Sequence, residues 1–215
     1  MAIVRWIPSP KWRGRTLQAE TVLRQRPLLR LRSYPLAVHG LMVVVGSLLV
    51  ALTARVEVEI GIGPVPITGQ TFGVLLIGAT YGSTLGIATL TAYLIEGAVG
   101  LPVFAGGGSG VATLNGPTGG YLFGFAVTAY LVGKLAERGW TRSIPLTLLA
   151  MVIGNLVIYA LGVARLQDFV GWEHVWSAGV RNFLPGDIVK ILLAAGVLPG
   201  AWWIRERIGG LSSRG

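Results

Sequence analysis

The feature that most constrains this chain is a series of long apolar runs. Residues Pro35–Ala54 form a run of 20 residues in which His39 is the only ionisable side chain. A helix needs about 20 predominantly apolar residues to cross the hydrocarbon core of a bilayer. Over the whole chain, 53% of the residues are hydrophobic and only 13% are charged, whereas soluble domains carry roughly a quarter charged residues. The sequence therefore predicts an all-α integral membrane protein.

Six segments are predicted to span the membrane. A length of 215 residues leaves room for six or seven spans with short connections. The predicted spans are Pro35–Ala54, Ile67–Thr80, Ser83–Val99, Gly119–Leu135, Ile144–Val163 and Gly186–Ile204. We therefore expect an N-terminal arm over residues 1–34, a six-helix membrane domain over residues 35–205 and a C-terminal tail over residues 206–215.

The basic residues predict the orientation of the spans. The net charge is +9, and the first 32 residues hold eight Lys or Arg against Glu20 alone. With the N-terminus inside, six spans place 14 of the 18 basic residues on the cytoplasmic side and only three outside. Cytoplasmic loops of membrane proteins carry this excess of Lys and Arg. Both termini are therefore predicted to be cytoplasmic.

The basic arm borders a membrane span, which favours contact with anionic membrane lipid and predicts no nucleic-acid partner. Residues Leu17–Leu31 alternate apolar residues with Arg and can be read as an amphipathic helix on the membrane, although Pro27 interrupts them. The alternative is a tail that only fixes the topology.

Small residues at intervals of four suggest close helix packing. In lipid, helices associate where small side chains let their backbones approach. Such spacing occurs at Ser47 and Ala51, and in two glycine series: Gly78, Gly82, Gly86 and Gly116, Gly120, Gly124. A turn at Tyr81–Gly82 would make the first glycine spacing accidental. Ser47 and Ala51 are equally suited to a docking face for a partner subunit.

Asp187 and Lys190 are the most costly residues in the predicted spans. An ionisable side chain at a helix centre costs on the order of 2.5–3.5 kcal/mol on insertion scales, so such residues are functional candidates. Residues three apart share one helix face, and these two can partly neutralise each other. One reading is a structural ion pair near a helix end; the other is a site for a polar ligand.

Further polar side chains are predicted to surround the same region. Tyr93 and Glu96 share a face of the third span, Asn155 and Tyr159 are four apart on the fifth, and Gln70 begins the second. Amide, phenol, carboxylate and ammonium groups converging in the outer half of the bundle suggest a pocket for a small molecule with a polar head. A single polar side chain of this kind more often makes a hydrogen bond to a neighbouring helix than binds a ligand.

Little in the sequence indicates catalysis. The chain has no Cys, which excludes a thiol nucleophile and a Cys-ligated metal, and we expect no metal site. Ser109 lies in a Gly-Gly-Ser-Gly run typical of rhomboid proteases, but His39 and His174 are not predicted to reach it, so a membrane enzyme is the weaker alternative.

The loop that contains Ser109, Gly100–Thr118, is either a flexible lid over a ligand or a plain connector. The chain has no phosphate-binding loop, so any ATP drive must come from another protein.

Several motifs occur together in a characteristic order. They are PVPITGQTF (Pro64–Phe72), YLIEGAVGLPVFAGG (Tyr93–Gly107), NGPTGGYLFGF (Asn115–Phe125), GNLVIYALG (Gly154–Gly162) and LPGDIVK (Leu184–Lys190). From about Pro64 to Ile204 the chain resembles the BioY family, the biotin-binding S components of energy-coupling-factor transporters.

The resemblance implies a six-helix S-component fold in a bacterial cell membrane. It implies a subunit that captures biotin from outside, with a separate coupling membrane protein and two ATPases driving import, no cofactor and no catalysis. Self-association into a homo-oligomer stays open. The resemblance also implies that Asp187 and Lys190 bind the substrate.

The chemistry of biotin suggests roles for the other candidates. Its ureido ring offers two N–H donors and a carbonyl acceptor, which match carboxylate, amide and ammonium groups. Its sulfur ring and valeryl chain need aromatic and apolar walls, and the valerate needs a cation or donor. Candidate walls are Tyr93, Phe104, Tyr121 and Tyr159; further candidate binding residues are Gln70, Glu96, Asn115 and Asn155; candidates for the valerate are Lys190, Arg181 and backbone N–H groups.

Overall fold

The computed structural model describes residues 35–58 and 64–212. The predicted basic arm, including the amphipathic segment 17–31, lies outside the described residues. The elements are α1 (Leu36–Ala54), β1 (Glu57–Val58), β2 (Ile67–Thr68), α2 (Gln70–Ala98), α3 (Gly110–Asn115), α4 (Gly119–Glu137), α5 (Ile144–Val170), α6 (Trp172–Trp176) and α7 (Leu184–Ser212).

Five stretches among the described residues are long and apolar enough to cross a membrane. They are α1, α2, α4, α5 and the continuous helical stretch Trp172–Trp203, which contains α6, a turn of π-helix and most of α7. The described part of the chain is therefore a helical membrane protein, as the apolar runs predict. Two helices extend well beyond the prediction: α5 continues seven residues beyond Val163, and α7 continues through residue 205 into the predicted tail.

The helix α2 is interrupted by a reversal at Gly82. Gly82 has φ 79° and ψ −179°, which is outside the helical region and costs little only for glycine. The Gln70 side-chain amide donates to the Tyr93 hydroxyl at 2.6 Å, although a straight helix would separate these residues by about 35 Å. Residues 70–81 and 83–98 therefore lie side by side as a helical hairpin, which we call the α2 hairpin. They correspond to the second and third predicted spans.

Glycines hold the α2 hairpin against α4. A Cβ atom added at Gly78 or Gly86 would lie 2.8 or 3.1 Å from the carbonyl oxygen of Ala129, and one added at Gly133 would lie 2.4 Å from the Ser83 nitrogen. Gly82 thus makes a turn, while its neighbours at intervals of four pack against another helix. Both interpretations of that glycine series therefore apply: Gly82 forms a turn, and Gly78 and Gly86 pack against α4.

A carboxylate caps the α2 reversal. The backbone N–H and the hydroxyl of Ser83 both donate to Glu137 Oε1, at 2.8 and 2.7 Å. The first N–H groups of a helix have no partner within it, so this acceptor from the end of α4 satisfies one of them. We call this end of the bundle, which also carries residues 138–143, the far end.

The other end of the bundle carries the longer connections, and we call it the cavity end. Here β1 and β2 pair antiparallel, with Glu57 opposite Thr68. Ile67 and Thr68 were expected to begin a helix, but they form this strand, and α2 begins at Gln70. Pro64 and Pro66 lie just before them, and Pro disfavours helical backbone at the residue before it.

The core changes in character between the two ends. Towards the far end it contains an apolar cluster in which Leu75, Val132, Met151 and Leu198 pack together. Towards the cavity end it contains large aromatic side chains, including Tyr93, Phe104, Tyr121 and Phe125. The polar side chains that the sequence singled out are concentrated in this second layer.

Candidate functional site

A cavity of about 230 Å³ lies at the cavity end of the bundle. Its walls come from the α2 hairpin, α4, α5 and α7, and its rim comes from the loops before β2 and α4. The lining residues are Pro64, Val65, Pro66, Thr68, Gln70, Thr71, Phe104, Ala105, Thr113, Thr118, Tyr121, Leu122, Phe125, Ile158, Tyr159, Phe183, Asp187 and Lys190. This is a mostly apolar chamber with its polar groups gathered on one side, the usual character of a small-molecule site.

The polar side is built around Asp187 and Lys190. Their side chains are 5% and 15% exposed, and Lys190 Nζ lies 3.0 Å from Asp187 Oδ1. Thr71 also donates to Asp187 Oδ1, at 3.2 Å, and the Tyr159 hydroxyl donates to Oδ2. A buried ion pair is tolerated only when further hydrogen bonds satisfy its remaining atoms, and here side chains from α2 and α5 supply them.

The ammonium of Lys190 has all three of its protons engaged. Its acceptors are the Thr68 carbonyl oxygen at 2.7 Å, Thr71 Oγ1 at 2.9 Å and Asp187 Oδ1 at 3.0 Å. A protonated lysine has three donors and no acceptor. In this conformation Lys190 therefore ties α7 to β2 and α2 and keeps no donor for a ligand, whereas Asp187 Oδ2 has accepted only one bond and retains capacity for a ligand N–H.

A second polar chain lies beside the ion pair and starts at Gln70. Its carbonyl oxygen accepts from the Thr68 hydroxyl at 2.8 Å, and its amide donates to the Tyr93 hydroxyl at 2.6 Å. Tyr93 in turn donates to the Val103 carbonyl at 3.0 Å. Gln70 faces the cavity with one amide N–H to spare. Tyr93 does not line the cavity, and its ring packs edge-on against Phe104, with centroids 5.4 Å apart.

Aromatic rings form the opposite wall. Phe183 stacks on Tyr121 with ring centroids 6.1 Å apart and meets Tyr159 edge-on at 6.5 Å. The Tyr121 hydroxyl donates to the Gly179 carbonyl at 2.8 Å, which fixes its ring. Three rings, from α4, α5 and the turn before α7, thus form an aromatic part of the cavity wall, and the Tyr159 ring reaches the Asp187 carboxylate.

The glycine-rich loop over the cavity is tethered to the chain around β1. Arg55 donates to the Pro102 carbonyl, and the Gly106 N–H donates to Glu57 Oε2 at 2.7 Å. Gly106 and Gly107 both have positive φ, which explains the glycine run. Ser109 lies in a loop, as expected, and immediately precedes α3. The helix α3 ends after six residues at Asn115, which is followed by Gly116 and Pro117.

Besides Tyr93 and Asn155, three predicted binding residues do not line the cavity. Glu96 faces α1, where its Oε1 accepts from the Ser47 hydroxyl at 2.7 Å, because the turn of the α2 hairpin directs that face away from α7. Asn115 ends α3 and is exposed, and its backbone oxygen accepts from Arg165. Arg181 is also exposed, in the π-helical turn.

The two residues predicted for subunit docking face inward. Ser47 is fully buried against Glu96, and Ala51 packs against the aromatic layer of the core. The exposed face of α1 is formed instead by larger side chains, among them Val44, Leu48 and Leu52. Small residues let α1 approach the α2 hairpin, which is the other role that their spacing predicts.

Asn155 is in an unusual position for a polar residue. It is 5% exposed, and among the described residues neither Oδ1 nor Nδ2 has a hydrogen-bond partner. Leaving a buried polar group unsatisfied costs about 1–3 kcal/mol. The following turn of α5 brings Ile158 and Tyr159 to the cavity wall, so Asn155 lies in the layer directly beneath.

Several lining residues were missed by the sequence reasoning. Thr71 follows Gln70 directly, and Phe183 directly precedes the LPGDIVK motif, so their neighbours were the available signal. Phe125 and Ile158 lie inside quoted motifs, and Ile158 directly precedes Tyr159, but their apolar side chains resemble those of ordinary core residues.

The comparisons with known proteins agree with this architecture. The chain is 41% identical to a probable biotin transporter BioY of Pyrococcus horikoshii over 69% of this chain and 88% of that protein. It is 34% identical to the biotin transporter BioY of Rhizobium etli over 69% of this chain and 84% of that protein. The fold is similar to the crystal structure of the S-component for biotin from an ECF-type ABC transporter, with a TM-score of 0.64, 22% identity and coverage of 90% of this chain and 93% of that one. The family model described as "BioY family" matches residues 26–207, and the chain belongs to that family.

Proposed function

We propose that this protein is the biotin-binding S component of an energy-coupling-factor transporter. Its task is to capture biotin at the outer face of the cell membrane for ATP-driven import. The family, the named relatives and the cavity with its buried ion pair all support this function. It is a transport subunit and not an enzyme, and biotin is its cargo rather than a cofactor.

The single observation that carries the proposal is the Asp187–Lys190 pair inside an aromatic cavity. A carboxylate with spare acceptor capacity suits an N–H of the ureido ring, and a buried carboxylate makes a stronger hydrogen bond than a neutral acceptor. Gln70 offers its remaining amide N–H to the ureido carbonyl. The rings of Phe104, Tyr121 and Phe183 suit the fused sulfur ring.

The valerate of biotin is assigned to the rim of the cavity. Lys190 has no donor left in this conformation, and Arg181 does not line the cavity. Thr113 and Thr118 line it on the side of the glycine-rich loop. We therefore favour the backbone N–H groups of that loop, the third of the alternatives that the sequence left open, together with the Thr118 hydroxyl, because the Thr113 hydroxyl already donates to the Ser109 carbonyl at 2.7 Å.

The topology proposed is six spans with both termini in the cytoplasm of a bacterial cell. Counting the α2 hairpin as two spans turns five long helical stretches into six, and the cavity end then faces outward. The Gln70–Tyr93 contact between its two halves supports this count. The 14 basic residues assigned to the cytoplasmic side support the orientation.

The partners proposed are a coupling membrane protein and two ATPases, with a homo-oligomer as an alternative assembly. Ser47 and Ala51 are proposed to act in docking by setting the position of α1 against the α2 hairpin, so that its exposed apolar face meets the coupling protein. The arm over residues 1–34 is proposed to contact anionic lipid on the cytoplasmic side.

The test is equilibrium binding of biotin to purified protein carrying Asp187→Asn. The amide keeps the shape of the side chain but loses the charge that receives the ureido N–H. Charge-assisted hydrogen bonds are worth about 1.5–3 kcal/mol, so we expect affinity to fall by roughly 10- to 150-fold.

Asp168→Asn is the matched control. Asp168 also pairs with a basic residue three positions away, Arg165 at 3.0 Å, but both side chains are over 40% exposed and neither lines the cavity. This variant should bind biotin as the wild type does. Wild-type protein that fails to retain biotin, or equal losses in both variants, would contradict the proposal.

A further inference from the structure

The buried side-chain amide of Asn155 makes no hydrogen bond to the network around Asp187. Each atom of that network has a partner, from Thr68 through Lys190 to Tyr159. Asn155 lies one helical turn from Tyr159, yet both of its polar atoms lack a partner among the described residues. The amide has an unused carbonyl acceptor next to an unused N–H donor. It is therefore complementary to a group that carries an N–H donor next to a carbonyl acceptor.

The packing around α5 places this amide beneath the cavity. A Cβ atom added at Gly124 would lie 3.2 Å from Ile158 Cα, and the Thr128 hydroxyl donates to the Gly154 carbonyl at 3.1 Å. Ile158 and Phe125 line the cavity, whereas Gly154 faces Leu75 in the apolar layer. Asn155 therefore lies where the cavity meets the closed core, behind its wall.

We propose that Asn155 recognises the cyclic urea of the bound ligand through two hydrogen bonds. This inference rests on the function proposed above and names a specificity residue for it. The side-chain Oδ1 accepts a ureido N–H while Nδ2 donates to the ureido carbonyl, so that two hydrogen bonds close one ring. Asp187 Oδ2 accepts the second N–H.

The pairing requires a small movement of the cavity wall. Both polar atoms of the Asn155 side chain are buried, so binding requires that the side chain turn towards the cavity or that Ile158 move aside. Folding has already removed water from this amide, so ligand binding does not pay that desolvation cost again. The gain from satisfying it therefore goes into ligand affinity.

The ligand 2-iminobiotin tests the pairing because its cyclic guanidinium replaces the urea. A guanidinium has only donors, so the Asn155 Nδ2 faces another donor, and the wild type should prefer biotin. In Asn155→Asp, two carboxylate oxygens face the guanidinium instead. We expect that variant to shift the ratio of biotin to 2-iminobiotin affinity towards 2-iminobiotin by on the order of 10-fold or more.

Asn155→Leu is the second variant, with nearly the same volume and no polar atom. Two lost hydrogen bonds should lower biotin affinity by on the order of 10- to 100-fold. Affinity for desthiobiotin, which keeps the urea but lacks the sulfur, should fall by the same factor. Thermal unfolding of each variant reports whether it is folded, and a gain for 2-iminobiotin cannot come from misfolding.

The outcomes separate this inference from the proposed function. Wild-type protein that does not bind biotin refutes the function. Wild-type binding with unchanged affinity and ligand preference in both Asn155 variants refutes only the role of Asn155. Losses that differ between biotin and desthiobiotin also refute the pairing with the urea.

Discussion

A methyl group added at Gly133 tests how closely α4 approaches the reversal of α2. The new Cβ atom would lie 2.4 Å from the Ser83 nitrogen and 2.5 Å from the Gly82 carbonyl carbon. Both neighbours are backbone atoms, so no side chain can rotate out of the way. Overpacking of this kind costs typically 1–3 kcal/mol, whereas Gly to Ala inside a helix by itself gains about 0.5–1 kcal/mol.

With both ranges taken at their upper ends, Gly133→Ala therefore destabilises the protein by about 2 kcal/mol. For a chain of this size, each kcal/mol shifts the melting temperature by about 2–4 °C. We expect the apparent Tm of the purified protein in detergent, followed by tryptophan fluorescence, to fall by up to about 8 °C.

Gly196→Ala is the matched control for this substitution. Gly196 lies within α7, and a Cβ atom added there meets nothing within 4 Å. This variant keeps the helix-propensity gain without the clash, so its Tm should stay the same or rise slightly. If Gly133→Ala raised the Tm as much as Gly196→Ala, the close contact between α4 and the α2 hairpin would be refuted.

Three further substitutions test separate parts of the structure. Tyr159→Phe removes the hydroxyl that donates to Asp187 and should weaken biotin binding by roughly 5- to 30-fold; unchanged affinity in a binding titration would mean that this hydroxyl does not orient the carboxylate. Glu137→Ala removes the cap of the α2 reversal and should lower stability by about 0.5–2 kcal/mol with biotin affinity retained, and a loss of binding at unchanged Tm would contradict a purely structural role. Ser47→Ala leaves the Glu96 carboxylate without its α1 donor and should cost about 1–3 kcal/mol of stability; a Tm equal to that of the wild type would show that α1 is held by apolar packing alone.

Most of the helices could be predicted from the sequence because hydropathy determines where a chain can cross a bilayer. The bounds of α1 agree to within one residue with the predicted span Pro35–Ala54. The ends near the loops were harder to predict. Ile67 and Thr68 are as apolar or β-branched as residues of a span, and only their pairing with β1 makes them a strand. Two-residue strands are too short to show an alternating pattern, so the nearby Pro64 and Pro66 were the only local signal.

The types of side chain in the site could be predicted from the sequence better than the directions in which those side chains point. Asp187 and Lys190 stand out because charge inside an apolar helix needs compensation, and the structure pairs them. Glu96 stands out for the same reason, but the rotation of its helix turns it towards Ser47. Which face of a helix points inward depends on all its neighbours, so residue type alone could not separate these acids. Nor could it predict that every donor of Lys190 is engaged.

The most direct test of the central claim is a structure of the protein crystallised with biotin. The account predicts biotin enclosed in the cavity, with a ureido N–H about 3 Å from Asp187 Oδ2 and the sulfur ring against Tyr121 and Phe183. Biotin bound elsewhere, or bound in the cavity with its ureido ring away from Asp187, would contradict it.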